Sequence, residues 1–153
     1  MSAITALPPL VKSVLVAAPP ERAFDLFTAG MGEWWPLATH SVGADSATSV
    51  VMECHVGGRI VETVDDGSTH VWGTLTEWSP STQLAFTWHP GQPQPEATLV
   101  TVTFRPQGDQ TEVQLVHTGW EVRPDGARAR TGYDTGWDIV LGQLTSLAVS
   151  DPS

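Results

Sequence analysis

Seventeen acidic against seven basic residues give this 153-residue chain a net charge of −10, which sets it against a generic nucleic-acid groove or an anionic membrane surface. With 41% hydrophobic and 16% charged residues the composition is globular rather than disordered, and no apolar run approaches the length of a membrane span. One domain over 1–153, with a core of about 10–149, is the default at this length, and folding should bury roughly 70% of the unfolded chain's surface.

Cys54 is the single cysteine, so no intrachain disulfide can form. The N-terminal "MSAITALPPLVKS" lacks the charged and apolar regions of a secretory signal, and both features point to the cytoplasm. "LVKSVLVAA" (Leu10–Ala18) is rich in branched residues and reads as a strand. "PPERAFDLFTAG" follows as a short helix, with Pro20 at its first position, Glu21 in its first turn and Gly30 beyond its end. "MGEWWP" adds a second short turn that Pro36 must end. Trp34 and Trp35 lie about 100° apart on such a helix, so they cannot point the same way.

Six short strands come next: "SVVMECHV", "RIVETV", "THVWGTLTEW", "QLAFTWH", "ATLVTVTFR" and "TEVQLVHTGW". Gly57-Gly58 reads as a two-residue hairpin, which places Cys54 inside a strand as a small core residue. "PGQPQPE" is a longer loop. The links are hairpin-sized, so the strands form an antiparallel meander. A helix over about Ala127–Val149 closes the chain, with Tyr133, Trp137, Val140, Leu141, Leu144 and Leu147 on one stripe. Gly132 and Gly136 interrupt it at about 1 kcal/mol each, for a close backbone approach or to leave room for a ligand. The fold class is therefore α+β, in the order β-α-α-β6-α, with a curved antiparallel sheet wrapped around the long C-terminal helix.

This order of elements resembles the helix-grip fold of the START-like (SRPBCC) superfamily, shared with the major birch pollen allergen and the polyketide cyclases. Several strings resemble the branch related to the C-terminal domain of the heat-shock-protein-90 ATPase activator: "PPERAFDLFT", "GEWWP", "VGGRI", "GTLTEWSPSTQLAFTW", "TVTFRPQGDQTEVQLVHTGW" and "GWDIVLGQL". The resemblance runs from about Val11 to Leu147. It implies a mostly apolar central cavity that holds small or lipid-like molecules in many members, and no single activity.

Strand alternation supplies candidates for the inner face: Leu84, Phe86 and Trp88; Val100, Val102 and Phe104; Val113, Leu115 and His117. An inward His117 is a satisfied core histidine, a polar anchor for a ligand or a catalytic base. Parity puts Trp72 outside, or inside if a bulge intervenes. Glu62 alternates with Ile60 and Val64 and faces in, with Arg59 as its simplest partner. The remaining histidines, His40, His55, His70 and His89, show no metal-site spacing, so no metal and no cofactor is expected.

The first expectation is a small hydrophobic ligand bound in a cavity between sheet and helix. Trp34 or Trp35, Trp88, His117, Tyr133 and Trp137 line it, with His40, Phe86, Phe104 and Trp120 on the same face or at the rim. The alternatives are a cyclase- or hydrolase-like enzyme using that cavity, with His117 or an inward acid as base, and a co-chaperone-type module using an exposed face. No nucleic-acid or membrane partner is expected, and a homodimer is compatible with the sequence without being supported by it.

Overall fold

The structure, a computed structural model, describes residues 7–150. The first six residues of the N-terminal stretch read above lie outside the described residues. Strand β1 (Leu10–Val16) leads into helices α1 (Pro20–Phe27) and α2 (Met31–Trp34). Strands β2 (Ala47–Met52), β3 (Arg59–Val64), β4 (Thr69–Ser79), β5 (Gln83–Trp88), β6 (Thr98–Gln107) and β7 (Gln110–Thr118) follow, and helix α3 (Gly126–Ser150) ends the fold. The seven strands form one antiparallel sheet in the order β1-β7-β6-β5-β4-β3-β2. This is the expected helix-grip arrangement.

The inner face follows the alternation read from the sequence. Val100, Val102 and Phe104 pair across from His117, Leu115 and Val113, and all six are buried. The α3 stripe of Trp137, Val140, Leu141 and Leu144 is buried against this face. Lys12 on β1 ties α3 down from the side through Asp134 and Asp138. Helix α1 buries Ala23, Phe24, Leu26 and Phe27, and its two phenylalanines set their ring edges against Phe104 at 5.1 and 5.9 Å.

One expectation needs correction here, and one open alternative resolves. The first is the Gly57-Gly58 hairpin. Strand β2 stops at Met52, and residues 53–58 form a loop closed by Glu53, whose amide donates to Arg59 O and whose carboxylate accepts the Arg59 N–H. Gly57 then donates to Leu75 O, drawing the loop onto β4. Cys54 is therefore exposed in this loop and not a core residue, and partial burial still pushes its thiol up, away from the reactive thiolate range.

The second concerns β4. Ile60 pairs with Gly73 and Val61 with Val71, so Trp72 is the extra residue of a bulge. The bulge turns Trp72 inward, where it is fully buried, and its carbonyl accepts the amide of His89. Gly73 makes this possible, because a Cβ there would lie 1.7 Å from Thr87 O. A second irregularity at Thr76 leaves Leu75 and Trp78 facing the core side, with Trp78 against Phe24 at 4.9 Å. Two-residue alternation along β4 is thus interrupted twice, at Trp72 and at Thr76.

Candidate functional site

The two adjacent tryptophans are both buried, with rings 5.6 Å apart, but take different partners because α2 ends between them. Trp34 is the last helical residue, and its indole N–H donates to Leu26 O at 2.7 Å, satisfying a carbonyl in the last turn of α1. It packs on Phe27 at 5.4 Å, within the core. Trp35 has extended backbone ahead of Pro36, and its ring, 5.6 Å from that of Trp34, reaches to within 5.1 Å of Trp72, 5.7 Å of Trp88 and 6.0 Å of Trp137. Its indole N–H donates to His40 O at 2.6 Å and holds the loop after Pro36 against the cluster.

That loop is fixed from below by Glu62. The fully buried carboxylate accepts the amides of Val42 (2.8 Å) and Gly43 (2.7 Å) and the indole N–H of Trp72 (2.9 Å). The Glu62–Arg59 pairing expected from the sequence does not form: Arg59 lies on the other face of β3 and reaches Glu53, at 3.5 Å. Gly43 must be glycine for this approach, since a Cβ would meet Val64 Cγ1 at 2.5 Å and Glu62 Oε2 at 2.9 Å.

Between this loop, β5 and α3 lies a cavity of about 430 Å³. Its lining comprises Trp35, Trp88, Tyr133, Trp137 and Val140, the loop residues Thr39, His40, Ser41 and Val42, and Pro90, Gly91 and Gly136. No aspartate, glutamate, lysine or arginine is among them. A Cβ on Gly132 or Gly136 would meet nothing within 4 Å, so close backbone approach explains neither glycine. Gly136 lines the cavity and leaves its helical wall open there.

Five of the ten candidate residues read from sequence therefore surround the cavity: Trp35, His40, Trp88, Tyr133 and Trp137. The others lie behind its wall. Trp34 and Phe104 belong to the packing around α1, and Phe86 backs Trp88 at 5.5 Å. Trp120 lies against His117 at 3.9 Å and donates its indole N–H to His117 O. Thr39, Ser41, Val42, Pro90, Gly91 and Val140 were not anticipated. The prolines at 36 and 90, which mark the two loops at the cavity edge, were the available signal.

His117 is fully buried and is not among the residues that line the cavity. Trp137 Nε1–H donates to its Nδ1 at 3.0 Å, so the proton sits on Nε2, which donates to Thr98 Oγ1 at 2.6 Å. The Thr98 hydroxyl in turn donates a hydrogen bond to Trp88 O at 3.1 Å. The chain is complete only with a neutral imidazole, and burial, helped by Arg123, pushes the His117 pKa down to about 3. In the unfolded chain a histidine takes up its proton near pH 6.5, so the contribution of His117 is intact above that value and is lost as pH falls toward 3. At pH 5 the loss should be about 2 kcal/mol relative to pH 7. Urea titrations of wild type and His117→Gln at both pH values should show the wild type losing that much more. Equal losses would refute the buried neutral state.

The comparisons with known proteins bear on this geometry. Residues 17–148 match the family model described as activator of Hsp90 ATPase homolog 1-like protein. The chain belongs to this family. As a member of the Hsp90 ATPase activator homolog 1-like family it shares its fold with a protein from Mesorhizobium loti, at 22% identity and TM-score 0.68, over 94% of this chain and 98% of that one. It is likewise similar to the protein in the solution structure of the Aha1 dimer from Colwellia psychrerythraea, at 18% identity and TM-score 0.65, covering 91% and 94%. A higher identity, 34%, relates it to an anthrahydroquino-γ-pyrone synthase, Txn09, with TM-score 0.59 over 82% of this chain and 86% of that one. No curated protein matches the sequence significantly. Among the described residues no helix is long and apolar enough to cross a membrane, and no group of three metal-ligating side chains comes together.

Proposed function

We propose that the protein is a single ligand-binding domain of the cytoplasm that holds a small, hydrophobic, largely aromatic molecule between α3 and the sheet. Trp35, Trp88, Tyr133 and Trp137 are its apolar walls, and Thr39, His40 and Ser41 its polar edge. The observation that carries this reading is a cavity of about 430 Å³ walled by three indoles and a phenol, with no charged side chain lining it. That volume and that mix of many apolar and few polar groups suit a small organic ligand. Gly136 supports it further, since a mid-helix glycine costs about 1 kcal/mol against alanine and here opens onto the cavity. The single cysteine supports the cytoplasmic assignment.

Native mass spectrometry of the freshly purified protein, followed by incubation with a panel of polycyclic aromatics, tests this directly. Wild type should carry or take up one small molecule. Gly136→Leu should remain folded, because its side chain enters open space, and should take up none. A wild type that carries nothing and takes up nothing counts against the proposal.

A second reading, catalysis in the same cavity, is favoured by the 34% identity to the synthase Txn09. In it an aromatic precursor would occupy the cavity, and His40, the imidazole in the lining, would be the proton acceptor in place of His117 or Glu62. Turnover abolished in His40→Ala with ligand binding retained would select this reading over binding alone. The dimer named for the Colwellia neighbour makes a second copy of this chain the macromolecular partner to look for first.

A further inference from the structure

The wall indoles have already committed their donors. Trp35 Nε1–H goes to His40 O, Trp137 Nε1–H to His117 Nδ1, and Trp88 Nε1–H to Tyr133 Oη at 3.1 Å. The loop hydroxyls are likewise engaged: Ser41 donates to Leu37 O and accepts from Ala44, while Thr39 bonds His40 Nδ1 at 2.7 Å. Tyr133 is different. Its oxygen faces two donors, the indole N–H of Trp88 and the guanidinium of Arg123, and among the described residues no acceptor takes its proton. Burial holds the phenol above its ordinary range, so that proton stays in place at neutral pH. The ring is clamped between Trp137, stacked at 6.0 Å, and His117 and Trp120 at 5.0 and 5.7 Å, so the hydroxyl has a fixed position.

We propose that Tyr133 reads the polar end of the ligand, donating its hydroxyl hydrogen to a carbonyl oxygen carried on a planar aromatic ring system. The inference rests on the ligand cavity proposed above and adds the chemical class, an aryl ketone or quinone. The planar rings suit the indole walls. The oxygen is specified because Tyr133, already accepting from Trp88 and facing the positive field of Arg123, is poised to donate rather than accept. A hydrocarbon of the same shape would displace water from that hydroxyl and leave it unpaired, which is where the discrimination arises.

The test uses a matched pair, 9-fluorenone and fluorene, titrated into the full chain by quenching of tryptophan fluorescence. Wild type, Tyr133→Phe and His40→Ala are compared. Tyr133→Phe should keep the fluorene affinity of wild type, which shows an intact cavity, while its preference for fluorenone falls about tenfold. His40→Ala, which removes a polar group from the cavity edge, should lower that preference by less than Tyr133→Phe does. Both probes binding with an unaltered ratio in Tyr133→Phe overturns the assignment while the cavity stands. A ratio that falls only in His40→Ala moves the carbonyl to His40 and overturns it as well. Failure of both probes to bind wild type overturns this inference and the ligand cavity together.

Discussion

Replacing Glu62 by leucine should destabilise the protein by about 3–5 kcal/mol, read as a lowered urea midpoint. The carboxylate is fully buried and accepts three N–H donors, from Val42, Gly43 and Trp72. An apolar side chain of similar size leaves all three unpaired in a site that excludes water, and an orphaned buried donor costs about 1–3 kcal/mol. Glu62→Gln should cost less, about 2 kcal/mol, because one oxygen, now a neutral amide C=O, still accepts while the amide nitrogen opposes a donor. The damage should also be local. Val42 and Gly43 anchor the loop that carries Thr39, His40 and Ser41, so limited proteolysis should cut that loop first in the variant. A midpoint within error of wild type would mean that the three hydrogen bonds are not the clamp described.

Trp137→Ala should cost a comparable 3–5 kcal/mol and lower Tm by roughly 10 °C. The indole is fully buried, touches Trp35, Trp88 and Tyr133, and donates to His117 Nδ1. Its loss both enlarges the cavity and frees a histidine lone pair at the core. Trp137→Phe separates the two effects: it keeps most of the ring packing and removes the N–H. The phenylalanine variant should lose about 1–2 kcal/mol. Equal losses in the two variants would place all the energy in the hydrogen bond and none in the packing.

Most of the architecture was legible because it rests on local signals. Pro20 starts α1, Pro36 stops α2, and two-residue alternation marks His117, Leu115 and Val113 as inward on β7, whereas Gly30, expected to cap the end of α1, instead caps the start of α2, and Thr28 caps α1. What was illegible depends on irregularity or on distance. Alternation across β4 fails at Trp72 because a bulge adds one residue, although Gly73 inside a strand is the kind of residue that marks such a bulge. Two of the three partners of Glu62 are backbone amides some twenty positions earlier, in a loop with no periodicity to read, and the third is the Trp72 indole that the bulge turns inward. Arg59 was a plausible partner by proximity in sequence and is excluded by the pleat, which sends positions 59 and 62 to opposite faces. The choice between Trp34 and Trp35 could not be made from spacing, because it depends on the helix ending between them.

The proposed binding site can be read most directly from the indole N–H resonances of the seven tryptophans in a ¹⁵N-labelled sample titrated with a planar aromatic ketone such as 9-fluorenone. The signals of Trp35, Trp88 and Trp137 should shift or broaden, since these rings wall the cavity. Those of Trp34, Trp78 and Trp120, which lie behind it or beside α1, should stay in place. Shifts confined to Trp34, Trp78 and Trp120, or no shifts at ligand saturation, would contradict a ligand site between α3 and the sheet.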